Sequence, residues 1–159
     1  MINLYKSKFW IAILFLSVIG LLQSCKKDPN QYEISYTSAK PSSSTWYSDK
    51  VTAIIKSDSL LLTGTKKDKS SIAIIISASG VGNYKLSVTE LSSIIVLDKD
   101  GTKSKSSQFI SIDGVISILE KNTDKKFISG SFDVDVVNLE NITDKERIRG
   151  NFTSKYKNY

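Results

Sequence analysis

From Trp46 to the end of the chain the hydrophobic pattern has a period of two and shows no stripe of period 3.6. Tyr84, Leu86 and Val88 alternate with Lys85, Ser87 and Thr89, while Ile72, Ile74, Ile76 and Ala78 share one face and Ile75 adds apolar weight to the other. Residues i and i+2 lie on the same face of a strand, so this spacing builds half-buried strands and no amphipathic helix. Runs at Val51–Lys56, Leu60–Thr63, Ser93–Leu97, Phe109–Ile112, Gly114–Glu120, Lys126–Val137 and Arg147–Tyr156 are separated by turn-forming stretches such as Ser57-Asp58-Ser59 and Ser79-Gly80-Val81-Gly82-Asn83. The expectation is an all-β domain over residues 46–159, a single antiparallel β-sandwich or small meander barrel of about nine strands.

The last two strands carry enough information to predict their register. Ile128-Ser129-Gly130-Ser131-Phe132 and Ile148-Arg149-Gly150-Asn151-Phe152 repeat one I-x-G-x-F pattern. As an antiparallel hairpin they satisfy each other when Gly130 faces Phe152 and Phe132 faces Gly150, so that each ring covers a residue without a side chain. The same register sets Asp133 opposite Arg149 and Asp135 opposite Arg147, opposite charges across the ladder. A slip of one residue would turn both phenylalanines to solvent. Residues 138–144 become the connecting loop, closed by Val137 and Lys145.

Ahead of the β domain the chain changes character. Met1 to Lys8 holds Lys6 and Lys8 and no acid, and Phe9 to Leu22 is an apolar run of 14 residues. That is shorter than the roughly 20 residues needed to span a bilayer and suits a secretory signal core of about 7–15. Leu22-Gln23-Ser24-Cys25 follows, with a small residue before the sole cysteine of the sequence. This resembles the bacterial lipobox, in which cleavage before a lipidated cysteine leaves that cysteine as the new N-terminus. A solitary cysteine in a secreted chain has no disulfide partner, and lipidation accounts for both its solitude and its position. Residues 1–24 are therefore expected to be a signal peptide, helical in its core, with Cys25 the lipidation site. Residues 25–45, rich in serine and holding Pro29 and Pro41, read as a disordered tether with a short extended piece at Tyr32–Tyr36.

Three further segments carry a resemblance. Gly82-Asn83-Tyr84-Lys85-Leu86, Asp113-Gly114-Val115-Ile116-Ser117-Ile118 and Ile128-Ser129-Gly130-Ser131-Phe132 follow the order G-x-Y-x-L, G-x-I-x-I, I-S-G-x-F. With Cys25-Lys26-Lys27-Asp28 they resemble an uncharacterised family of small Bacteroidetes-type lipoproteins, over roughly Val51 to Tyr156. The resemblance implies attachment to the outer membrane, in either leaflet, and assigns no activity.

Composition narrows the chemistry. The 22 basic and 16 acidic residues lose two lysines and no acid with residues 1–25, which leaves a net charge of +4 and no histidine. Without histidine, and with Cys25 committed to lipid, Ser-His-Asp, Cys-His and most zinc chemistry have no residues to run on. No catalytic residue, cofactor or metal ligand is expected, and the basic clusters lack the interleaved aromatics of a nucleic-acid surface. Asp98-Lys99-Asp100-Gly101 starts like a calcium loop, but the following residues supply neither the third ligand nor the distant glutamate, so it reads as a turn. Asp133 and Asp135 share a strand face and are expected to pair with cations. Trp46 and Tyr47 are candidate binding aromatics, although Trp46 also suits a plug at one end of the core. Ser59, in Asp58-Ser59-Leu60, is a candidate for O-glycosylation. These features favour a lipid-anchored, non-enzymatic module that binds an envelope protein or a glycan. The alternatives are a small barrel carrying an apolar ligand and a carboxylate-dependent hydrolase, which would need an apolar cavity or two converging acids respectively.

Overall fold

The computed structural model describes residues 32–41, 43–87 and 93–159. The expectations for the signal peptide, for Cys25 and for residues 26–31 lie outside them.

The C-terminal hairpin is the centre from which the fold is built. Strands β9 (Phe127–Asn138) and β10 (Lys145–Asn158) pair antiparallel from Lys145↔Val137 to Lys155↔Phe127. The register is the one expected: Gly130 faces Phe152, Gly150 faces Phe132, Asp133 faces Arg149 and Asp135 faces Arg147. A Cβ on Gly130 would lie 2.3 Å from Phe152 Cζ, and one on Gly150 would lie 2.3 Å from Phe132 Cζ. Both rings thus rest directly on glycine backbone, and Phe152 and Phe132 are buried by it.

The remaining strands extend from the two edges of this hairpin. On β10, β1 (Glu33–Ser38) runs antiparallel beside Ile148 to Thr153, and β3 (Lys50–Lys56) pairs parallel with Tyr156 to Asn158. The two-residue β2 (Trp46–Tyr47) adds to the outside of β1. From β3 a meander leads through β4 (Ser59–Thr65) and β5 (Ser71–Ile76) to β7 (Ser93–Asp98) and β8 (Gln108–Asn122). β8 pairs with β9, and β6 (Gly82–Ser87) lies along its other edge. The pairing path thus returns to its start, although β1, β2 and β6 branch from it and the structure is not a clean barrel. It is one ten-stranded sheet, antiparallel except at the short β3–β10 seam among the described residues. Inward residues from every long strand meet in one cluster, including Ile34, Leu60, Leu62, Ile74, Ile95, Ile116, Val134 and Ile148, all with no measurable exposure. Burying each such side chain contributes about 1.5–3 kcal/mol, which makes this cluster the main source of stability.

Two boundaries differ from expectation. Residues 25–45 do not all form a tether: the folded unit starts at Tyr32, and β1 supplies Ile34 and Tyr36 to the core. The serine and proline content set the composition of this stretch, but Glu33-Ile34-Ser35-Tyr36 has the strand alternation locally, and six backbone pairs with β10 hold it. Likewise Asp113-Gly114 does not separate two strands. It lies inside β8, where the register against β9 shifts between Ser111 and Asp113. Gly114 has φ +123, and a Cβ there would sit 2.3 Å from the Asp133 carbonyl oxygen, so only glycine permits this bulge.

The sheet has two distinguishable ends. One holds the start of β1, the β3–β4 and β8–β9 turns and the C-terminal residues of β10. The other holds the end of β1, β2, the β4–β5 turn and the 99–107 and 138–144 loops.

Candidate functional site

A groove of about 450 Å³ opens at the second end, lined by β1, β2 and residues reaching in from three other segments. Its floor is aromatic. Tyr36 and Trp46 face each other across the β1–β2 pair, with ring centroids 5.2 Å apart and planes at 25°. The Trp46 indole N–H donates to Ser70 Oγ at 2.9 Å, and Ser70 Oγ donates to Asp68 Oδ1 at 2.5 Å. Trp46 therefore does two things: it packs against the edge of the core, as expected of a plug, and it presents part of its ring to the groove. Tyr47, the next residue on the strand, points the other way and is 51% exposed.

The opposite wall is ionic. The Glu146 side chain is 2% exposed, accepts a hydrogen bond from Ser38 Oγ at 2.6 Å and forms an ion pair with Lys99. Lys99 Nζ also lies 4.0 Å from the centre of the Phe109 ring. At the rim Lys40 pairs with Asp144 at 2.6 Å, and the carboxylate raises the Lys40 pKa. Burial, reinforced by the negative charges of Glu146 and Asp68, pushes the Tyr36 phenol up to about 12. It is thus a neutral O–H donor at any physiological pH. Among the described residues it has no hydrogen-bond partner, and it lines the groove. Stacked aromatics beside fixed hydroxyl, ammonium and carboxylate groups suit a polar ligand with one apolar face.

The other sequence candidates fall elsewhere. Asp133 and Asp135 lie on an outer face, where Arg147 Nε donates to Asp133 at 2.6 Å, Arg149 Nε at 3.0 Å, and Arg147 reaches Asp135 at 3.3 Å. The hydrogen bond from Arg147 is the main cause of the lowered Asp133 pKa. These acids pair with cations rather than converging across a cleft, although a shallow depression of about 340 Å³ passes beside Asp133. Asp98 is buried, with its oxygens taken up by Gly101 N at 3.1 Å, Ser107 Oγ at 2.8 Å and Lys103 N at 3.1 Å. Gly101 at φ +74 makes the turn, and no group of three metal-ligating side chains exists among the described residues. Ser59 is exposed at the start of β4, just after the positive-φ pair Ser57 and Asp58 of the hairpin turn.

Sequence reading missed Tyr36, Ser38, Lys99 and Glu146 as a group. Only one signal pointed there. On β10 the even positions face inward, namely Ile148, Gly150, Phe152, Ser154 and Tyr156, and Glu146 extends that series as an acid on a core face.

A family model described as a domain of unknown function, DUF6252, matches residues 35–155. The chain belongs to this family. The DUF6252 match starts inside β1 and ends inside β10, so β2 and the residues lining the groove lie within the family domain. No curated protein and no solved structure matches the chain.

Proposed function

We propose that this DUF6252 protein is a Bacteroidetes-type lipoprotein, lipidated at Cys25 after removal of residues 1–24, and held at the outer membrane as a non-enzymatic binding module. The observation that carries the anchor is Leu22-Gln23-Ser24-Cys25 at the end of a basic, then apolar, N-terminal run. More than one acyl chain on a mature cysteine makes attachment effectively permanent, since each buried CH₂ contributes about 0.8 kcal/mol. The binding reading is supported by the Tyr36–Trp46 groove, which offers a stacking surface and fixed polar groups to a glycan or to a partner protein of the envelope. Ser59 is an accessible hydroxyl for O-glycosylation at the start of β4, beside the hairpin turn.

Two arms test this. Cys25→Ser releases the protein into the soluble fraction and abolishes labelling by a fatty-acid analogue; an unlabelled wild type ends the anchor reading. Trp46→Ala, with folding checked by thermal melting, lowers recovery of the partner co-purified with the wild-type protein from its own envelope. Equal recovery with Trp46→Ala removes the groove from the account.

A further inference from the structure

The end of the sheet opposite the groove carries a cluster of lysines. Lys56, Lys121, Lys125, Lys126, Lys155 and Lys157 all lie on the β3–β4 and β8–β9 turns or the strand ends beside them. Among the described residues none of the six is in an ion pair. At the groove end Lys40, Lys66 and Lys99 each have a carboxylate partner, while Lys67, Lys69, Lys103, Lys105 and Lys145 are in no ion pair among the described residues. Among the described residues Asp58, Glu120 and Asp124 are the exposed acids at the lysine end, half the number of those lysines. Apolar side chains stand out among these lysines. Gly82, the first residue of β6, pairs with Ile118 of β8, and their neighbours Val81 and Leu119 are 65% and 63% exposed. Tyr159, across the end, is 75% exposed and lines one depression together with Lys121 and Lys126.

The chain enters the domain at this same end. Tyr32 lies just before β1, and Lys155 Nζ is 5.7 Å from the centre of its ring. Seven residue steps separate Tyr32 from Cys25, and even a fully extended chain covers only about 3.3–3.6 Å per residue, so the link between them spans at most ~25 Å. Unpaired lysines around exposed apolar tips and a tyrosine are the composition of a surface that sits in a bilayer headgroup layer.

We propose that this end of the domain docks on an anionic lipid bilayer, with Lys125, Lys155 and Lys157 against the phosphates and Val81 and Leu119 entering between them. The inference rests on anchorage at Cys25, which brings the surface to the membrane. It adds an orientation: the lysine end faces the lipid and the Tyr36–Trp46 groove faces away, free to take a partner.

The test uses the chain from Cys25 to Tyr159 carrying Cys25→Ser, so that no lipid contributes, after its cooperative thermal unfolding has been verified. Sedimentation is measured with vesicles of phosphatidylglycerol and phosphatidylcholine in equal parts, and with phosphatidylcholine alone. Binding to the anionic vesicles only is expected. Each lysine at a membrane surface contributes about fivefold in affinity, so Lys125→Glu/Lys155→Glu/Lys157→Glu should lower binding by roughly a hundredfold or more. Lys67→Glu/Lys105→Glu/Lys145→Glu, at the groove end, should change it far less. Leu119→Asp should cost about tenfold through the lost apolar contact. Equal losses from the two lysine triples would show attraction by net charge alone and overturn the proposal. So would binding to a soluble polyanionic glycan without binding to vesicles. Because Cys25 labelling is read separately, failure of the anchor and failure of this surface are distinguishable.

Discussion

Gly130→Ala is the sharpest perturbation of the hairpin that sets the fold. A methyl at this position would lie 2.3 Å from Phe152 Cζ and 2.2 Å from the carbonyl oxygen of Ser117 on β8. Contacts this short cannot be accommodated in place, and the Ser117 oxygen belongs to a backbone paired on both sides. The ring is the softer neighbour, so Phe152, now 1% exposed, must leave its site. Expelling a buried phenylalanine costs about 1.5–3 kcal/mol, and overpacking strain adds about 1–3 kcal/mol. The expected total is about 2.5–6 kcal/mol, read as a shift of the urea midpoint at unchanged slope. Such a loss is a large share of the roughly 5–15 kcal/mol that holds most domains folded. Phe152→Ala on its own should cost about 3–5 kcal/mol. In the double variant the ring clash is absent, so the two effects should fall short of additivity by at least ~1 kcal/mol. A Gly130→Ala protein within about 1 kcal/mol of wild type, or strict additivity in the double variant, would refute the ring-on-glycine packing.

Three further outcomes follow from the same structure. Lys99→Ala leaves the buried Glu146 carboxylate with Ser38 alone and should destabilise by about 3 kcal/mol, whereas Lys99→Met/Glu146→Leu should recover most of that in a chemical melt. Asp133 titrates lower folded than unfolded, so its contribution is complete above the unfolded carboxylate value of about 4 and is lost as pH falls through the folded value. Asp133→Asn should therefore flatten the stability profile on the acid side of about pH 4 and leave it unchanged in shape near neutrality. Tyr36 has its pKa raised from 10.0 to about 12, so the unfolded chain ionises first and stability declines between those values. Tyr36→Phe should make that alkaline decline shallower in melts recorded across the same range.

How much of this was legible depended on how local each determinant is. The register of β9 and β10 could be read because two glycines and two phenylalanines occur at matching spacing, and because the charges on the other face agree with it. The calcium-like turn at Asp98 was legible for a similar reason, since its partners all lie within nine residues. β1 was obscured because its six residues sit in a serine- and proline-rich stretch, while the strand that stabilises it is more than a hundred positions away. The Asp113-Gly114 bulge was obscured because a turn and a bulge use the same residues, and only the close approach of β9 tells them apart. The groove was the least legible feature of all. Ser38, Lys99 and Glu146 come from three distant segments, and only closure of the sheet path brings them to one place.

The proposed anchorage hangs on Cys25, and intact-mass analysis of the protein extracted from its own membranes tests that residue most directly. The species expected begins at Cys25 and carries an acyl modification on that residue. A mass equal to the full chain from Met1, or to a chain with unmodified Cys25, would contradict it.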